Sequence, residues 1–244
     1  RHDGGSASEH DDAARWTNGG VRRVNSARMV ERMSVVYMTG FETGDAGEMA
    51  TAGTGLGINS AAAKTGAFGA AIISGNHALV NTLNIKQTSF RGEFKRQSDP
   101  STITGILQDS TGAIRLRLRL KTNGTLDLSD VGTTLGLTTA NGTLVLTSGL
   151  SHRIEVIFDT TANGIAQVLV NGVLDINTTH SNSALNSVGW HIAGGNAMTA
   201  HWDDVIIQDT LTTAGAGQHI ARQGISGTPA YDAWTENSGS GAWS

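Results

Sequence analysis

Arg115, Arg117 and Arg119 stand at alternate positions of the run Ile114-Arg-Leu-Arg-Leu-Arg-Leu120. Strand residues two apart share a face at about 6.8 Å spacing, so the three guanidinium groups form a ladder while Leu116, Leu118 and Leu120 form the opposite face. A guanidinium grips a carboxylate or phosphate through two parallel N–H groups. Such a ladder suits an acidic neighbouring subunit or an anionic glycan. The plainer reading is a solvated face balanced by Glu93 or Asp127 across the sheet. Asp203 and Asp204, with Asp209 nearby, offer the oxygen donors that hard cations take. Adjacent strand residues point to opposite faces, so the two carboxylates are not expected to meet on one ion. One of them is expected instead to accept hydrogen bonds from a neighbouring loop, and no metal or cofactor is expected.

Hydrolytic chemistry needs other constellations. Glycoside hydrolysis uses two carboxylic acids facing each other across the bond, and Glu155 with Asp159 has the wrong spacing to place such a pair on one face. The sequence holds no Gly-x-Ser-x-Gly elbow, no His-Glu-x-x-His and no Walker loop. Gly53, Gly55 and Gly57 read as turn chemistry. The eight histidines are scattered without ligand spacing, and His191 and His201 read as surface or strand-edge residues. The chain is not expected to be an enzyme.

The elements that position these residues are short strands. Of 244 residues, 32 are glycine, two are proline and none is cysteine, and the formal charge is −4. Absence of cysteine excludes a disulfide framework and a thiolate metal site. The charge gives no footprint for general nucleic-acid binding, and no apolar run reaches the roughly 18 residues of a membrane span. Alternating runs predict strands over 34–41, 66–74, 78–83, 89–96, 103–108, 113–121, 125–128, 143–147, 187–193 and 201–208, with a loop over 49–63 and a turn at Gly75-Asn76. Between 149 and 176, Asn163-Gly164 and Asn171-Gly172 predict two tight turns joining three strands. Ile154, Val156 and Phe158 face one way; Arg153, Glu155 and Ile157 face the other. Many short strands with no amphipathic helix imply two packed antiparallel sheets.

Three segments resemble the concanavalin A-like (laminin G-like) jelly rolls. They are Gly149-Leu-Ser-His-Arg-Ile-Glu-Val, Val168-Leu-Val-Asn-Gly-Val and His201-Trp-Asp-Asp-Val-Ile-Ile-Gln-Asp. The resemblance, which spans roughly 39–209, implies an all-β sandwich of two antiparallel sheets over 34–209. The polar composition of 1–33 and the Gly-, Thr-, Ala- and Ser-rich composition of 210–244 predict an extended N-terminal arm and an extended C-terminal tail. The related glucanases carry their acids as Glu-x-Asp-x-x-Glu on one strand, a run that this sequence lacks.

The opening Tyr37-Met-Thr-Gly-Phe-Glu-Thr-Gly-Asp and the tail segment 221–235 resemble those of bacteriophage virion proteins carrying this jelly roll. That resemblance implies a non-enzymatic capsid decoration or cement protein, assembled in the host cytoplasm. It would bind the major capsid protein or copies of itself through arm and tail, with Trp16, Arg22, Arg23, Trp234 and Trp243 as contacts beside the arginine ladder. The alternative is a carbohydrate-binding module on a phage tail or cell surface. Sugar sites favour exposed aromatic platforms, for which the strand region offers Trp190 and Trp202.

Overall fold

The computed structural model describes residues 35–83, 87–96, 103–109, 114–133, 135–181, 188–194 and 199–211. Trp16, Arg22, Arg23, Trp234 and Trp243 lie outside them. Among the described residues there is no helix, and fourteen strands build two antiparallel sheets.

The eight-stranded sheet runs in the order β12 (Val173–Thr179), β11 (Ile165–Val170), β10 (Ser151–Asp159), β5 (Gln87–Lys95), β14 (Ala200–Gln208), β3 (Gly69–Ile72) and β2 (Leu56–Asn59). An eighth strand, β1 (Val35–Thr39), pairs with the second half of β14. The six-stranded sheet runs β4 (Gly75–Leu83), β13 (Val188–Gly194), β6 (Ile103–Asp109), β7 (Ile114–Leu120), β8 (Leu126–Asp130) and β9 (Ala140–Asn141). The first and last strands of the series lie side by side, and the long-range pairing of β5 with both β10 and β14 centres the larger sheet.

Period-two patterning decides which face is core. Leu116, Leu118 and Leu120 of β7 are at most 2 % exposed while the intervening arginines are only half-buried. Ile154, Val156 and Phe158 of β10 likewise pack inward. The two sheets are locked by an aromatic cluster. Phe90 on β5 stacks on Trp190 of β13 at 5.2 Å between centroids and meets Trp202 of β14 edge-on at 5.4 Å, and Trp202 also touches Phe94 at 5.1 Å. Trp190 Nε1 donates to Thr88 Oγ1 at 2.9 Å, and Thr88 Oγ1 donates to the Gln208 carbonyl at 3.0 Å. Gly92 is the space-maker: a Cβ there would sit 2.8 Å from Cε3 and Cζ3 of Trp202.

Several local expectations change. The loop expected over 49–63 contains β2, which pairs with β3 from Leu56 to Asn59. The strand expected over 143–147 is irregular: the Asp175 carboxylate captures the backbone N–H groups of Thr143 and Leu144 at 2.7 and 2.9 Å, so those donors are spent outside any ladder. Gly75 opens β4 with φ 84° instead of turning it. Asn171 and Gly172, with φ 53° and 81°, form the tight turn expected between β11 and β12. Asn163 has φ 59° but sits in a five-residue connection between Asp159 and Ile165, longer than the tight hairpin expected.

The aromatic cluster yields a stability prediction. Gly92→Ala should destabilise by about 1–3 kcal/mol through overpacking, and Trp202→Ala by about 3–5 kcal/mol through cavity formation. Urea midpoints at wild-type values would contradict the packing.

Candidate functional site

The outward face of the six-stranded sheet is where the arginine ladder lies. Each inward leucine of β7 fixes its neighbouring arginine outward, and pairing with β8 sets Arg117 opposite Ser129 and Arg119 opposite Asp127. Arg119 and Asp127 form a bidentate pair, Nε to Oδ1 at 2.8 Å and Nη2 to Oδ2 at 3.0 Å. This hydrogen bond raises the Arg119 guanidinium above its ordinary pKa. One step further, Lys121 Nζ donates to Asn141 Oδ1 at 2.9 Å. A cleft of about 340 Å³ is lined by Arg119, Leu120, Lys121, Thr122 and Asp127. Arg115 and Arg117 continue the ladder along the strand.

Asp127 therefore pairs with one rung of the ladder, Arg119; Glu93 does not join it. Glu93 sits on β5 in the other sheet, opposite Arg153 on one side and Asp203 on the other. There it belongs to a second charged patch, which the sequence pattern did not assemble. Glu155 and Arg91 are direct cross-strand partners, each 2 % exposed. Arg153 Nε donates to Glu155 Oε1 at 2.6 Å. Burial first, then Arg153, lowers the Arg91 pKa, while Glu93, Glu155 and Asp204 oppose that shift. Sequence alternation placed Arg91 and Glu93 on one face and Arg153 and Glu155 on one face; only the β5–β10 pairing joins them.

Glu155 and Asp159 do share the outward face of β10, contrary to expectation, because four residues is an even step on a strand. Their backbone separation is about 13 Å, beyond the roughly 5–9.5 Å between paired glycosidase acids. Asp159 Oδ1 is also engaged by the Thr161 N–H and hydroxyl at 2.9 and 2.7 Å.

Asp203 does take the loop-anchoring role. Its Oδ2 accepts from the backbone N–H groups of Lys64 and Thr65 at 2.6 and 3.0 Å, and its Oδ1 from Asp204 N at 2.8 Å. The two aspartates nevertheless converge, against the expectation of opposite faces. Asp204 adopts φ 47° at a register shift between Asp203 and Ile206, a β-bulge that swings its carboxylate onto the Thr65 hydroxyl at 2.8 Å. Both carboxylates are thus spent on the 64–65 loop. Among the described residues no group of three or more His, Cys, Asp or Glu side chains could hold a metal ion.

The histidines and tryptophans are more enclosed than expected. His201 is 8 % exposed. His191 lies on the outward side of β13, between inward Trp190 and Ile192, yet both ring nitrogens are closed to solvent and without a hydrogen-bond partner. Burial first, then His77, pushes its pKa down to about 4, so the ring is neutral at neutral pH. Trp190 and Trp202, at 1 % and 0 % exposure, are core residues and present no platform to a sugar.

No protein family and no curated protein matches the chain. Solved structures do. The cellulose induced protein Cip1 aligns with a TM-score of 0.51 at 15 % identity, over 73 % of this chain and 99 % of that one. Domain 4 of AbnA, a GH43 extracellular arabinanase from Geobacillus stearothermophilus in complex with arabinotriose, aligns at 0.47 and 15 % identity, over 74 % and 95 %. The Caenorhabditis elegans galectin LEC-6 aligns at 0.43 and 14 % identity, over 55 % and 89 %. The fold is a concanavalin A-like jelly roll. At such identities the jelly-roll likeness is one of architecture.

Asp203 carries a pH prediction. Burial first, then the charge of Asp204, pushes its pKa from 3.8 up to about 7 against three lowering N–H bonds. A carboxyl whose folded pKa exceeds its unfolded one contributes stability that is fully present below the unfolded value and is lost as pH rises through the folded one. In thermal melts, the difference between Asp203→Asn and wild type should therefore move in the variant's favour from about pH 4 to about pH 8. A pH-independent difference would contradict the assignment.

Proposed function

We propose that the chain is a non-catalytic carbohydrate-binding module whose ligand lies on the outward face of the six-stranded sheet, at the cleft between Arg119, Lys121 and Asp127. The observation that carries this reading is the bidentate Arg119–Asp127 pair standing beside the Lys121–Asn141 pair on the rim of that cleft. A sugar hydroxyl both donates and accepts, and planar charged groups held in fixed orientation recognise it with little further ordering. The sheet supplies the rigidity, because each polar side chain stands next to a leucine locked in the core.

Recognition on this face is polar, since both strand tryptophans are buried. A binding role without catalysis agrees with the engagement of the carboxylates: Asp159 holds its own turn, Asp203 and Asp204 hold the 64–65 loop, and Glu155 holds Arg153. The reading as a virion cement subunit draws on the resemblance of 37–45 and 221–235. Of its proposed contacts, Trp16, Arg22, Arg23, Trp234 and Trp243 lie outside the described residues, and Arg115, Arg117 and Arg119 are the ladder on which the carbohydrate reading also draws.

Titration with a panel of plant, algal and bacterial oligosaccharides tests the proposal. At least one should bind, and Arg119→Ala and Asp127→Ala should each weaken it by about tenfold or more, the effect of removing a charge-assisted hydrogen bond. Binding unchanged in both variants would place the ligand elsewhere, and cleavage of any oligosaccharide by purified protein would overturn the non-catalytic part.

A further inference from the structure

The arginine ladder is unevenly neutralised. Both carboxylate oxygens of Asp127 are taken by Arg119. Arg117, one position further along the same face, has no carboxylate partner among the described residues, and its Nε is closed to solvent with no acceptor. A buried guanidinium N–H without an acceptor is unusual and disfavoured, because desolvation is not offset by a bond. The residue itself is half-buried, so the side chain reaches the surface while its inner edge is shut away.

The surroundings sharpen the contrast. His191, Ile106, Arg117 and Ser129 are consecutive cross-strand partners on β13, β6, β7 and β8. Across this row Ser129 offers a hydroxyl, which donates to the Arg117 carbonyl at 3.5 Å, and no anion. His191, two strands or about 10 Å away, is a neutral ring. Thus three cations, Arg117, Arg119 and Lys121, gather along one strand and the residue after it against the single carboxylate of Asp127, in a chain whose formal charge is −4. A local excess of one sign against the sign of the whole raises the concentration of oppositely charged ligands at that face.

We infer that the glycan bound on this face is acidic, and that Arg117 takes its carboxylate or sulfate group beside the cleft of Arg119, Lys121 and Asp127. This rests on the carbohydrate reading above and specifies its ligand. The division of labour follows from the pairing: Arg119 and Asp127, already bonded to each other, meet hydroxyls, while Arg117 offers unspent donors to a charge. A carboxylate accepts two parallel N–H bonds from a guanidinium, and a sulfate does the same through two of its oxygens.

The test compares oligogalacturonides and a sulfated heparin oligosaccharide with neutral xylo-, cello- and galacto-oligosaccharides by calorimetry, at about 50 and about 200 mM salt. The expected result is binding to an acidic probe at least about tenfold tighter than to any neutral one, weakening with salt. Arg117→Ala should abolish that preference. Arg117→Lys should keep part of it, since charge is retained and bidentate geometry lost. Melting temperatures of both variants check that the sandwich is intact, and because Arg117 points away from the core they should lie near wild type. If neutral sugars bind as well as acidic ones, or if Arg117→Ala leaves the preference intact, the inference falls while the carbohydrate reading stands. If no glycan binds, both fall. Equal affinity for a single-stranded DNA 20-mer would mark a general polyanion surface and overturn the inference too.

Discussion

The contact between Phe90 and the two tryptophans Trp190 and Trp202 is the constraint on which the rest of the sandwich depends. It joins β5 and β14 of one sheet to β13 of the other, and it exists because position 92 has no side chain. Once these rings are inside, alternation leaves no freedom. A one-residue slip of a strand would exchange its two faces, so the burial of Trp190 turns His191 outward and the leucines of β7 turn Arg115, Arg117 and Arg119 outward. The Trp190 indole N–H is tied through Thr88 to the Gln208 carbonyl, which links the same cluster to the far end of β14.

The two outward faces solve the problem of charge differently. On the eight-stranded sheet, Arg91, Glu93, Arg153 and Glu155 alternate in sign across β5 and β10, so each cation has a carboxylate beside it. Such a network fixes geometry more than it adds stability, because desolvation offsets most of the attraction. On the six-stranded sheet Asp127 answers Arg119, and Arg117 keeps its charge facing outward with no carboxylate partner among the described residues. The first face is internally compensated. The second leaves Arg117 without a carboxylate among the described residues.

Much of this was legible from spacing alone. The Leu–Arg alternation of 114–120 and the inward run Ile154, Val156, Phe158 needed nothing beyond the period of a strand. Arg119 with Asp127 was also within reach, since the two lie eight residues apart on neighbouring strands. What failed required knowledge of which strands share a sheet. Glu93 was an equally good partner for the ladder until pairing placed it with Arg153. The Trp190–Thr88 bond spans 102 positions, and nothing local announces it. The bulge at Asp204 defeated the rule that neighbours point apart, because the rule assumes an unbroken ladder. Leu56-Gly-Ile-Asn59 gave too short and glycine-diluted a pattern to read as β2, whereas 143–147 had the pattern but lost its backbone donors to Asp175.

The central claim is that the ligand-binding surface is the outward face of the six-stranded sheet. Backbone amide shift mapping by two-dimensional ¹H–¹⁵N NMR, with an acidic oligosaccharide added stepwise, addresses it directly. The account predicts the largest shifts at Arg117, Arg119, Lys121, Asp127 and Ser129, with Arg91, Arg153 and Glu155 unmoved. Shifts centred on β5 and β10 instead, or spread over the connecting loops with β7 and β8 silent, would contradict it.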